Sequence, residues 1–99
     1  MREAEDQVGA QLRLARAEAL RLGVPVSFAA YGDGRSYGYG GGAVRTLPTG
    51  VVMRTAEAGE VRFYPDGSAS GGIVTLGNRR RGVALNVDPA TGAIAKVQP

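Results

Sequence analysis

The sequence predicts an α+β fold in which one N-terminal helix packs on an antiparallel, β-sandwich-like domain of about seven or eight short strands. Three observations support this prediction: helical spacing of apolar residues over 2–22, alternating apolar and polar residues after Gly23, and 16 glycines that divide the remainder into short segments. A chain of 99 residues, 43% of them hydrophobic, is typical of one domain with one core. We therefore divide it into a helical segment, 1–23, and a β-rich globular segment, 24–99.

The predicted helix is amphipathic. Its apolar residues recur every three or four positions, which places them on one stripe of a helix with 3.6 residues per turn. We expect this stripe to be the packing face, with the members Ala4, Val8, Leu12, Ala15, Ala19 and Leu22. Gly23 suits the position after a helix, and Pro25 prevents the helix from continuing. Leu14 and Leu20 lie off the stripe, which predicts a second buried face or a contact with neighbouring subunits.

Short strands are predicted for the rest of the chain, as two small packed sheets or a sandwich. The segments are 24–30, 36–39, 43–47, 51–55, 60–64, 73–76, 83–87 and 93–97. Turn sequences separate them, among them Asp-Gly at 33–34, Pro-Asp-Gly-Ser at 65–68 and Asp-Pro-Ala-Thr-Gly at 88–92. Proline presets φ in such turns, and glycine tolerates the positive φ that many of them require.

The composition argues against an enzyme. The chain has no Cys and no His, so disulfides, Ser-His and Cys-His dyads and nearly all zinc sites are excluded. The glycines are not followed by a helix, as a phosphate-binding loop would require. Asp33, Asp66 and Asp88 each stand alone in a turn, without the alternating oxygen ligands of a calcium loop. We expect no catalytic site, no cofactor and no metal.

Positive charge gathers at one predicted turn. The formal net charge is only +3, but three consecutive arginines occupy a predicted hairpin tip. The candidate nucleic-acid or partner contacts are Arg79, Arg80, Arg81, Lys96, Tyr37 and Tyr39. Guanidinium groups beside tyrosines combine phosphate binding with base stacking. The alternative is that the arginines merely solubilise an exposed tip and the tyrosines pack on a sheet.

Four stretches of the chain carry a family resemblance. They are LARAEALRLGVPV at 14–26, LPTGV at 47–51, VRFYPDGSASGG at 61–72 and VDPATG at 87–92. In these stretches, and in their order, the sequence resembles the GspH/FimT family of minor pseudopilins and pilins. The run FYPDGSASGG is the most specific of them, and it is closer to the secretion-system branch than to the pilus branch.

The resemblance implies a pilin-like fold, with 1–23 as the C-terminal half of a long helix. It implies a structural subunit of the type II secretion pseudopilus that helps to assemble the filament tip and to secrete proteins. Its partners would be other minor pseudopilins or pilins, and secreted proteins, which we expect to contact loops 38–44 and 77–82. Family members carry a basic leader and an apolar helix half in the bacterial inner membrane, with the β domain in the periplasm. We expect Met1 to mark a start that leaves out this membrane half.

The other branch of the family supplies an alternative function. It includes type IV pilus minor pilins that bind DNA during uptake, and their C-terminal segment tends to carry arginines after a Thr-Gly turn. Here Thr91 and Gly92 are followed by a single basic residue, Lys96. This departure weakens the DNA-binding interpretation, whereas the three arginines at 79–81 support it.

Overall fold

One N-terminal helix is followed by short strands, as the sequence predicts. The computed structural model describes residues 2–40, 42, 44–55 and 59–97. The helix α1 covers Arg2–Leu22. Across the described ranges there are eight strands: β1 (Val26–Tyr31), β2 (Ser36–Tyr39), β3 (Arg45–Thr46), β4 (Val52–Arg54), β5 (Glu60–Phe63), β6 (Gly72–Gly77), β7 (Gly82–Val87) and β8 (Ile94–Val97). The predicted strand start at position 43 lies outside the described residues.

The strands form two four-stranded antiparallel sheets. Sheet A has the order β3-β2-β1-β5, and sheet B has the order β4-β6-β7-β8. Phe28 lies opposite Val61 in sheet A, and Leu76 lies opposite Val83 in sheet B. Side chains of both sheets contribute to one core, including Phe28, Val61, Phe63, Val74, Leu76, Leu85 and Val87. The sandwich-like prediction is confirmed.

The helix packs on sheet A and on the edge of sheet B. It contacts β1, β2 and β5 of sheet A, and β8 of sheet B. Five of the six predicted packing-face residues are buried in the core: Ala4, Val8, Leu12, Ala15 and Ala19. The prediction for Leu22 is wrong, because its side chain is 52% exposed. Leu22 ends the helix, beyond the last core residue of α1, and the chain turns away at Gly23, whose φ is 72°.

Two side-chain contacts fix the direction of α1 along sheet B. Near the start of the helix, Glu5 Oε1 lies 3.4 Å from Lys96 Nζ on β8. Further along, Arg16 Nε donates to the carbonyl oxygen of Thr91, before β8 begins, at 3.2 Å. The helix is therefore antiparallel to β8 and parallel to β7. The β6–β7 turn consequently lies at the end of the molecule where α1 starts, and the β7–β8 turn lies at the opposite end.

Candidate functional site

The face of α1 that points away from the sheets carries apolar side chains. Leu14 and Leu20 are 46% and 44% exposed. Ala10 and Ala17 are exposed on the same side of the helix. These four residues form what we call the outer helix face, at spacings of four, three and three. Side chains at such spacings are neighbours on a helix surface, and here they adjoin exposed charged residues such as Arg13 and Arg21.

Two turns dock onto the other flank of the helix. The first, residues 64–68, is closed by a bond from Gly67 N to Tyr64 O of 3.1 Å. Inside it, the backbone N and the hydroxyl of Ser68 donate to Asp66 Oδ1 at 2.9 and 2.6 Å. Both bonds stabilise the ionised carboxylate, so they lower the pKa of Asp66 below its ordinary value.

The second docking turn, residues 88–92, lies against the first. Gly92 N donates to Asp88 O at 2.7 Å, and this bond closes the turn. The carbonyl oxygen of Pro89 accepts a hydrogen bond from Ala69 N at 2.9 Å. This bond ties the second turn to the residue that directly follows the first turn. The turns thus form one unit, built from the two motifs at 61–72 and 87–92 that carry the family resemblance.

Arg16 connects this pair of turns to α1. Its guanidinium Nε donates to the Thr91 carbonyl, and its side chain runs beside Gly67 and Gly92. A Cβ added at Gly92 would lie 2.7 Å from Gly67 O and 2.9 Å from Arg16 Nε. The close approach of helix and turns therefore requires glycine at position 92. Sequence reasoning missed this role of Arg16, because its partner is 75 positions away.

A buried acid anchors the first half of the helix. Glu5 is 7% exposed, and its Oε1 has no hydrogen-bond partner in the described structure. The nearest cation is Lys96, a predicted contact residue, which is thereby directed toward the helix. The pair borders a cleft of about 210 Å³ between α1 and β8. Lys96 is therefore engaged in holding β8 to α1, and Glu5 is a site residue that sequence reasoning missed.

The three predicted arginines form an exposed tip on the β6–β7 turn. Arg79, Arg80 and Arg81, here called the arginine tip, all reach solvent. Asn78 shapes the turn, because its Oδ1 accepts from Arg80 N at 2.8 Å and from Arg81 N at 2.9 Å. A further bond joins Asn78 N to Arg81 O at 2.9 Å. The backbone amides of Arg80 and Arg81 therefore point inward to Asn78, while the three arginine residues are exposed.

The six predicted contact residues do not come together. Tyr37 is 1% exposed, and its ring centroid lies 5.9 Å from that of Phe28 in the core. This burial raises the pKa of the Tyr37 hydroxyl and makes the residue unavailable for base stacking, which corrects the prediction. Tyr39 is half-buried and packs against the core. Side chains two apart on a strand share one face, so both tyrosines turn toward the core.

The two predicted recognition loops lie at opposite ends of the molecule. Loop 77–82 contains the arginine tip and lies where α1 starts. Loop 38–44 starts at the end of β2. Tyr39, the last residue of β2, pairs with Phe28 near the beginning of β1, so this loop lies where α1 ends. Positions 41 and 43 of this loop are outside the described residues. The loops therefore cannot form one continuous contact surface.

Nowhere in the described part of the chain do three or more Asp or Glu side chains gather as metal ligands would. In the same ranges, no helix has the length and apolar character that crossing a membrane requires.

A long helix laid along two antiparallel sheets defines the class of pilin-like subunits. The structure resembles the type IV minor pilin FimU of Pseudomonas aeruginosa, with a TM-score of 0.80 and 19% identity over 99% of this chain and 93% of that one. A second crystal form of FimU gives 0.79 and 18%, over 98% and 87%. The minor pseudopilin EpsH of the Vibrio cholerae type 2 secretion system gives 0.73 and 12%, over 95% and 93%. These likenesses establish the fold.

The family follows from the sequence itself. The family model described as Type II transport protein GspH matches residues 4–91. The chain belongs to this family, and the predicted GspH/FimT resemblance is confirmed. A comparison with curated proteins gave no match.

Proposed function

We propose that this protein is a structural minor pseudopilin of the type II secretion pseudopilus, which helps to form the filament tip and to secrete proteins. The observation that carries this proposal is the outer helix face. Leu14 and Leu20 are almost half exposed on a helix whose opposite side already supplies the core. Exposed leucines on the outer side of a helix are available to contact another molecule. Family membership indicates that this molecule is another filament subunit.

The proposed partners are other minor pseudopilins, bound through helix–helix contacts. The alanines of the outer helix face allow a second helix to approach closely, while the two leucines fill grooves between its side chains. Secreted proteins would bind elsewhere, on the loops of the β-rich segment. The helix would continue upstream into an apolar anchor in the bacterial inner membrane, which leaves the described domain in the periplasm. This arrangement would use the protein as a building block and requires no catalytic site.

The decisive experiment is co-purification with the co-expressed minor pseudopilins of the same system. We expect the double variant Leu14→Glu, Leu20→Glu to lose the complex, because the two added charges cannot be desolvated cheaply at a helix–helix interface. The matched control is Ile73→Glu, Val97→Glu, which replaces two similarly exposed aliphatic residues on sheet B. The control should retain the complex, and both variants should keep the parent's urea midpoint.

Two results would contradict the proposal. The parent protein could fail to bind any of the other minor pseudopilins. Alternatively, the control could lose binding as completely as the helix variant, which would show that added charge alone disrupts the complex. In the second case the loss of binding would no longer point to the outer helix face, and a helix variant that kept the complex would exclude that face.

The alternative function is DNA binding by a type IV pilus minor pilin. The observation that favours it is the arginine tip, since Tyr37 is buried and Lys96 faces Glu5. The test is a salt titration of duplex DNA binding, with all three tip arginines replaced by Ala. Each lost phosphate contact should reduce the slope of log affinity against log salt by ~0.9. A parent protein without affinity for DNA at low salt would remove this alternative.

A further inference from the structure

The arginine tip is a rigid cluster of positive charge. Its backbone is held by the two bonds to Asn78 Oδ1, so the three side chains leave from a turn of fixed shape. Among the described residues, no carboxylate lies within ion-pair distance of any of the three. Like charges placed side by side repel one another, and an anionic partner would relieve this repulsion. The tip therefore fits a partner with several negative groups close together.

The position of the tip restricts the choice of partner. Lys96, which contacts Glu5, pairs with Leu85 on β7. Gly82 lies three positions before Leu85, or about 10 Å toward the start of α1 at ~3.3 Å per residue. Arg2 lies three positions before Glu5, or only about 4.5 Å in the same direction at ~1.5 Å per residue. The β6–β7 turn, which directly precedes Gly82, therefore lies at the end of the molecule where α1 starts.

We propose that the arginine tip binds the anionic phospholipid headgroups of the membrane from which α1 emerges, a proposal that rests on the membrane anchoring proposed above. The headgroup plane would lie on the side of the domain where α1 starts, and the tip lies at that end of sheet B. Basic residues close to an anionic surface are each attracted to it, and their contributions add.

The geometry favours lipid over DNA. A duplex is bound by basic side chains spread along a face, where they track successive phosphates. Here three guanidinium groups share one turn, and the nearest predicted stacking residue, Tyr37, is in the core of the other sheet. In a membrane surface, several neighbouring lipid headgroups can contact the three guanidinium groups of one turn at the same time. Anchor and tip together would fix the rotation of the domain about α1, and so set the direction in which the outer helix face points.

The test uses the chain as it is and vesicles of two compositions. Co-sedimentation is measured with vesicles of phosphatidylcholine alone and of phosphatidylcholine and phosphatidylglycerol in equal parts, at low salt where screening is weak. We expect binding to the anionic vesicles only. The variant with Gln at 79, 80 and 81 should bind them ~100-fold more weakly. The variant with Lys at the same positions should bind like the parent, since it keeps the three charges.

A matched control separates the tip from total charge. Gln at Arg13, Arg45 and Arg54 removes the same three charges from exposed sites dispersed over α1, β3 and β4, and it should retain most of the binding. An equal loss in this control, or equal binding of the parent to neutral vesicles, would overturn the proposal. Binding of duplex DNA by the tip without binding of anionic vesicles would overturn it in favour of the alternative function. Because no other subunit is present, the outcome is independent of the co-purification test.

Discussion

Replacing Gly92 with Ala probes the contact between α1 and the docking turns most directly. Two costs arise at this position. The φ of 70° is in the left-handed region, where a Cβ costs about 1–2 kcal/mol. The same Cβ would lie 2.7 Å from Gly67 O and 2.9 Å from Arg16 Nε, and overpacking of this kind costs about 1–3 kcal/mol. We therefore expect Gly92→Ala to reduce the free energy of unfolding by about 2–5 kcal/mol.

Gly50 provides the matched control. Its φ of 87° is equally unfavourable for alanine, but nothing lies within 4 Å of the added Cβ. Gly50→Ala should therefore cost only the conformational part, about 1–2 kcal/mol. Both variants are compared with the parent by urea denaturation, with m-values checked for equality so that the midpoints report stability. Equal destabilisation by the two substitutions would refute the close approach of the turns to Arg16.

The remaining predictions concern the polar contacts. Lys96→Ala leaves the buried Glu5 carboxylate without its cation and should cost about 1–3 kcal/mol of unfolding free energy in urea. Adding Glu5→Gln should recover part of this loss, and a double variant no more stable than Lys96→Ala would show that the ion pair is not the cause. Ser68→Ala should raise the pKa of Asp66 toward its ordinary value, measured by NMR titration of the carboxyl carbon, because it removes the 2.6 Å bond. The lowered pKa in the folded parent means that this bond stabilises the fold above the ordinary carboxyl pKa, and that the benefit is lost as pH falls through the folded value. An unchanged titration of Asp66 in the variant would count against the hydroxyl as a cause.

Local periodicity determined the elements of this fold. The helix at 2–22 and strands such as 36–39 were predicted to within a residue or two, because apolar spacing and turn residues act over a few positions. Leu22 satisfied the helical stripe but is exposed, since a stripe does not reveal where the partner sheet ends. Tyr37 was equally ambiguous, because alternation says which side chains share a face without saying which face is covered.

The contacts of the candidate site could not be predicted in the same way. Arg16 and Thr91, or Glu5 and Lys96, are brought together by the packing of distant segments. On a helix rich in charged residues, nothing distinguishes Glu5 from its exposed neighbours until β8 is laid against it. The arginine tip was found because three like residues adjoin in sequence, whereas its position relative to the start of α1 depends on the order of strands in sheet B.

The most specific family motif has a mechanical role in this structure. The run at 63–72 holds a serine beside an aspartate, and the serine hydroxyl donates to the carboxylate inside the 64–68 turn. That turn lies against the 88–92 turn, and both turns contact the side chain of Arg16 on α1. The two turns therefore hold one flank of the helix. Because the sheets and these turns cover the inner side and one flank of α1, the outer helix face is left available for a second helix, as a filament subunit requires.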